Sequence, residues 1–88
     1  MRTAAGKRHM AKLAALPCAC CGAASPSNVH HIREGQGMAQ RADDFLAIPL
    51  CWYCHQGPQG IHGDRSAWRM RKLTELDALA DTIRRLTA

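Results

Sequence analysis

Two Cys-x-x-Cys pairs, Cys18 with Cys21 and Cys51 with Cys54, constrain this 88-residue chain more than any other feature. A chain this short buries a core that is marginal on its own. Its large apolar residues are few: Phe45, Trp52, Tyr53, Trp68 and scattered Leu and Ile, with much of the apolar fraction being alanine. Some further staple is required. The amino terminus is polar and basic (Arg2, Lys7, Arg8) and has no long apolar run, so it reads as neither a signal peptide nor a membrane span. A cytoplasmic location follows as the expectation. In that reducing compartment cysteine clusters more often bind metal than form disulfides. The odd count of five cysteines points the same way.

Four thiolates in two such pairs satisfy the tetrahedral preference of a closed structural zinc site. Gly22 follows the first pair and permits the positive φ that a zinc knuckle needs. Cys20 is then the odd thiol. A redox-active or iron–sulfur arrangement is the competitor, and the glycine and the short chain favour zinc. Metal binding would supply much of the folding free energy that so small a core lacks.

The rest of the chain is arranged around these pairs. Residues 4–16 read as a short basic helix ended by Pro17, with Met10, Leu13 and Leu16 on one side. His9, among basic residues, reads as solvated. Residues 28–32 resemble a strand, Gly35 to Met38 a loop, and part of residues 45–50 a second strand that Pro49 confines to an edge. Asp64 can cap a helix running through Trp68 towards Leu73. Thr74 with Asp77 resembles a capping box that opens a last helix to about Leu86. Its apolar stripe is Leu73, Leu76, Leu79, Ala80, Ile83 and Leu86, which must bury against the core or a second chain; monomer and homodimer both satisfy it. Trp52 and Tyr53 read as packing over the zinc, with base stacking as the other option, and Trp68 as a core anchor.

The net charge of +5 is unevenly spread. Arg2, Lys7, Arg8, Lys12 and Arg33 meet no acidic residue before position 34, and Arg65, Arg69, Arg71 and Lys72 form a second cluster. Such blocks suit nucleic acid, with a solubilising surface as the bland alternative.

Once zinc takes four cysteines, His30, His31, His55 and His62 remain to be explained. Neutral imidazole binds divalent metals, and its ordinary pKa of about 6.5 suits a general base near neutral pH. An adjacent pair can divide these roles, and phosphodiester hydrolysis needs both. The plainer reading is that His55 or His62 assists the zinc or caps a helix.

The runs Cys-x-x-Cys-Gly, Val-His-His-Ile and Pro-Leu-Cys-x-x-Cys-His resemble the zinc-containing HNH endonucleases. The longer runs His-His-Ile-Arg-x-Gly-x-Gly-Met, Asp-Asp-Phe, Ile-Pro-Leu-Cys-x-x-Cys-His-Gln-Gly-Pro and Gly-Ile-His-Gly-Asp-Arg are similar to the phage and prophage family named for a recombination-enhancing, RecA-dependent nuclease. The resemblance covers about residues 17–70. It implies an α+β fold: a small zinc-stapled ββα-metal, treble-clef-like core (residues 17–63) between a basic N-terminal helix or arm (1–16) and C-terminal helices (64–88). It further implies that Cys18, Cys21, Cys51 and Cys54 hold structural Zn²⁺. His30, His55 and His62 would bind a catalytic divalent ion (Mg²⁺ or Mn²⁺, with Zn²⁺ the other option), and His31 would be the general base. DNA is the implied substrate, nicking the implied outcome, and a RecA filament a partner carried by the resemblance alone. The asparagine that the family name implies is missing between His31 and Cys51. Asp44 is the nearest polar candidate, either orienting the His31 ring by a hydrogen bond or capping its own loop. Arg33, Arg65 and Arg69 are candidate phosphate contacts. The rival reading is a non-catalytic zinc module that binds nucleic acid or a phage partner protein.

Overall fold

Thr3 accepts the Gly6 N–H on its hydroxyl at 2.9 Å and so starts α1 (Ala4–Ala14). The computed structural model describes residues 3–33 and 42–88; the loop expected at Gly35 to Met38, with Arg2 and Arg41, lies outside the described residues. Along α1, Leu13 is fully buried and Met10 half-buried, while Lys7, Arg8 and Lys12 face solvent. His9 is not simply solvated: its ring stacks on Phe45 at 4.6 Å between centroids, clipping α1 to the segment before the second strand. After the helix, Ser27 donates its hydroxyl to the Leu16 carbonyl (2.7 Å) and its N–H to the Ala14 carbonyl (2.9 Å). These two bonds deliver the chain into β1.

Strands β1 (Asn28–His31) and β2 (Ala47–Leu50) pair antiparallel, with Val29 opposite Pro49 and His30 opposite Ile48. In a two-stranded sheet both strands are edges, which is where a proline is tolerated. The Pro49 carbonyl instead accepts the Ala19 N–H at 2.8 Å, stitching the first Cys-x-x-Cys turn to β2. All four β2 residues are buried, because α1 and α4 also pack on this strand. The described core comprises Ile32, Ile48, Leu50, Ile61, Trp68 and Ala78 gathered around Cys18 and Cys54.

Helix α2 (Trp52–His55) is a single turn whose N-cap is Cys51. Positions 51 and 54 lie on the same side of that turn and face the core, so the two residues between them are turned outward. Trp52 and Tyr53 are accordingly 61% and 45% exposed, which corrects the expectation that they pack over the zinc. Trp68 is the core anchor that was expected. It is 2% exposed, and its indole N–H donates to the Cys54 carbonyl at 3.0 Å.

The helix expected from Asp64 to Leu73 is shorter. α3 spans Ser66–Met70 because Arg65 (φ 63°) and Lys72 (φ 52°) adopt left-handed backbone on either side. Asp64 still accepts the Ser66 N–H at 2.8 Å. α4 (Glu75–Thr87) begins with the full capping box, with Thr74 and Asp77 exchanging bonds of 3.0 and 3.1 Å. Within this chain only part of the expected stripe is covered. Ala78 and Thr82 carry the buried side, with Leu73 and Leu79 partly buried beside them, whereas Leu76, Ala80 and Ile83 are exposed. Small side chains let the helix approach β2 closely, and Thr82 returns its hydroxyl proton to the Ala78 carbonyl at 2.8 Å. The described residues therefore form a small mixed α and β unit, in which no helix is long and apolar enough to cross a membrane.

Candidate metal centres

The first Cys-x-x-Cys turn and the start of α2 bring Cys18, Cys21, Cys51 and Cys54 together, one sulfur from each within 4.8 Å of all the others. Gly22 closes the first turn with φ 80°, as a knuckle glycine should. The Cys21 and Cys51 sulfurs are 3.7 Å apart, far beyond a disulfide. That spacing is nearly the edge of a tetrahedron with Zn–S bonds of about 2.3 Å, about 3.8 Å. Backbone N–H groups already point at the sulfurs: those of Cys20 and Cys21 reach Cys18 at 3.4 Å, and that of Cys54 reaches Cys51 at 3.4 Å. Burial opposes the Cys18 thiolate, but backbone donors at Cys21, Cys51 and Cys20 outweigh it and lower the thiol to about 7. Cys54 moves the other way. Burial, then the neighbouring Cys20 and Cys18, push its thiol well up. Four crowded sulfurs cannot all ionise by themselves, and a divalent cation removes the conflict. This cluster can hold a structural metal such as zinc. Cys20, the odd thiol, is half-buried against the core.

The second cluster draws on three separate places. His30 comes from β1, His55 from the last residue of α2, and His62 from the turns before α3. Beyond His55 the chain doubles back: the Ile61 N–H donates to the Cys54 carbonyl (2.8 Å) and the His62 N–H to the His55 carbonyl (3.1 Å). His62 is thereby returned to His55, with their Nε2 atoms 3.2 Å apart. One nitrogen from each of the three rings lies within 4.8 Å of the other two. His30 Nε2 and His55 Nδ1 are buried without a hydrogen-bond partner among the described residues. Buried imidazole nitrogens left in this state are costly unless something else binds them. Burial, reinforced by coupling to the His55, His62 and His31 rings and by the Arg65 charge, lowers the His30 pKa to about 4. Burial, then His62, lowers that of His55. Both rings are thus held in the neutral form that ligates a metal.

The paired histidines divide between two groupings. His30 joins the ring cluster, while His31, where β1 ends, donates Nε2–H to Asp44 Oδ1 at 3.0 Å. The hydrogen bond between Asp44 and His31, one of the two roles open to Asp44, is present. Asp44 is backed by α1: a Cβ at Gly6 would stand 2.5 Å from Asp44 Oδ2, so the small residue leaves the carboxylate its place.

Arg33, Arg65 and Arg69 line one cavity of about 650 Å³, floored by Ile61, Trp68 and Leu73. Arg65 also donates Nε–H to the Ile61 carbonyl at 3.1 Å. Glu75 borders the same cavity and was not singled out from the sequence. Its Oε1 lies 3.9 Å from Arg65 Nη2, and its Oε2 lies 3.7 Å from His30 Nε2. In the sequence its only signal was its place beside the capping-box threonine.

Residues 2–87 match a family model described as "Protein of unknown function (DUF968)". The chain is also similar to the "Uncharacterized protein YdfU" of Escherichia coli (strain K12), 34% identical over 73 residues. That stretch is 82% of this chain but 20% of the relative, so the chain spans about a fifth of that relative's length. No solved structure matches it.

Proposed function

We propose that this chain, which belongs to the DUF968 family, is a metal-dependent endonuclease that hydrolyses DNA phosphodiester bonds. The observation that carries this reading is the three-imidazole cluster of His30, His55 and His62, with His30 next in sequence to the carboxylate-bound His31. The order β1, β2, α2 around these rings supports reading them as a ββα-metal core of the HNH kind, which the four cysteines would staple with structural Zn²⁺.

His30, His55 and His62 would hold the catalytic divalent ion, for which Mg²⁺ or Mn²⁺ is the choice. Bound there, such an ion supplies Lewis-acid stabilisation of the charge that develops on the phosphoryl oxygens. His31 acts as the general base. Asp44 beside Nε2 favours the tautomer with its proton on that nitrogen, so the proton of the attacking water is taken at Nδ1. The carboxylate also fixes the ring's orientation, as the acid of a catalytic triad does. Arg33, Arg65 and Arg69, gathered on one cavity, hold the phosphates on either side of the cut. A single such centre cuts one strand, so nicking is the outcome for one copy of the chain. A RecA filament as partner, and a role in phage or prophage recombination, extend the same reading.

Zinc-loaded protein incubated with supercoiled plasmid, with and without Mg²⁺ or Mn²⁺ and with and without RecA on single-stranded DNA, tests the reading. Metal-dependent nicking is expected, lost in His31→Ala with zinc content and fold unchanged. Undiminished cutting by that variant would remove His31 as the base. Salt-sensitive DNA binding without cutting in every arm would favour a non-catalytic zinc module instead.

A further inference from the structure

We infer that Glu75, at the start of α4, is a fourth protein ligand of the divalent ion bound by His30, His55 and His62. The inference rests on the reading of that cluster as a metal site, but not on its cutting DNA. His30 Nε2 is buried, lacks a hydrogen-bond partner among the described residues, and has Glu75 Oε2 at 3.7 Å. That distance is too long for a hydrogen bond. It is little more than the roughly 3 to 3.5 Å between neighbouring ligands at about 2.0–2.2 Å from one ion. The His55 and His62 nitrogens, 3.2 Å apart, already show such a separation.

Glu75 is aimed by its position. The Thr74–Asp77 capping box fixes the first turn of α4, and packing of α4 on β2 brings that turn to the strand that carries His30. A carboxylate beside three imidazoles shifts the donor set towards harder ions such as Mn²⁺. It also has a consequence for geometry. Four protein ligands leave a six-coordinate ion two positions for water and a phosphate oxygen, but leave a tetrahedral ion none.

The test is direct Mn²⁺ binding to protein whose cysteine site is filled with zinc, read by electron paramagnetic resonance of the free ion. Mn²⁺ prefers N and O ligands and so spares the thiolates. Glu75→Gln and Glu75→Ala should each weaken Mn²⁺ binding at least about tenfold, with helicity and zinc content unchanged. Arg65→Gln separates a ligand from an ion-pair partner: it removes a positive charge beside the site and should not weaken Mn²⁺ binding. Glu75→Gln binding Mn²⁺ within twofold of the parent would overturn the inference. So would a loss in Arg65→Gln as large as that in Glu75→Gln. Loss of Mn²⁺ binding in the Glu75 variants of a protein that never cuts DNA would uphold the inference while removing the nuclease reading.

Discussion

The four-cysteine cluster and the three-histidine cluster have ligand atoms within the same short span, yet they are built in opposite ways. Each cysteine pair is closed by one local turn, with backbone N–H groups aimed at its own sulfurs. The histidines come from a strand, a helix end and a doubled-back turn, and meet only when the core has formed. Each site has one exposed member, Cys21 among the sulfurs and His62 among the imidazoles, but the sulfur site shares Cys18 and Cys54 with the hydrophobic cluster. Local construction suits a staple that must form while the chain folds. Distributed construction suits a site that needs a reachable face.

This contrast breaks first at the cysteines. Cys54→Ser, or chelation of the metal, should abolish cooperative unfolding, because structural zinc contributes on the order of 10 kcal/mol in small domains. His62→Ala should leave the unfolding transition in place and zinc at one per chain. Circular dichroism with metal analysis reads both. If both variants unfold, the division between the two sites is wrong.

The next largest effect concerns chemistry alone. On the proposed mechanism His31→Ala lowers cleavage by about 10²- to 10⁴-fold, the usual worth of a positioned base. Gly6→Ala acts on the same pair from behind. Its methyl group displaces the Asp44 carboxylate, so cleavage falls by up to about 10²-fold through misplacement of His31. The helix gain of roughly 0.5–1 kcal/mol from replacing glycine is opposed by the clash at buried Gly6, which costs about 1–3 kcal/mol, so stability should fall modestly. A fall in stability with cleavage unchanged would show that Gly6 serves packing only.

How legible each site was follows from the same difference. The sulfur cluster could be read from Cys18, Cys21, Cys51 and Cys54 because their spacing is itself the geometry. The histidines were found by residue type and by resemblance, but their division into His30 with the cluster and His31 with Asp44 required the strand. Glu75 had no comparable signal, since only the docking of α4 on β2 brings it to His30. Apolar content does not say which way a residue faces, or whether it is covered by its own chain. Trp52 and Tyr53 are turned outward because their cysteine neighbours must face inward. α4 buries Ala78 and Thr82 because close approach to β2 favours small groups over Leu76 and Ile83.

Smaller effects sharpen the contrast. On the proposed function, Arg69→Ala should weaken DNA binding across all sequences and lower the salt slope by about one, the effect of one lost phosphate contact. Proton affinity marks the buried side of the imidazole site. The folded His30 pKa of about 4 lies below its ordinary 6.5, so the ring stays neutral as pH falls through 6 and 5 while an unfolded chain takes up the proton. In protein free of a second metal, nitrogen-detected NMR should show His30 neutral at pH 5.5, and a protonated ring would place it in solvent.

The account turns on the histidine cluster being a metal centre for cutting DNA, separate from the cysteine staple. Plasmid nicking by zinc-loaded His55→Ala, across a Mn²⁺ series and in the presence of RecA on single-stranded DNA, tests this most directly. The parent should nick in proportion to bound Mn²⁺, and the variant should not, while retaining its zinc and its fold. Nicking by the variant equal to that of the parent at every Mn²⁺ concentration would contradict the account.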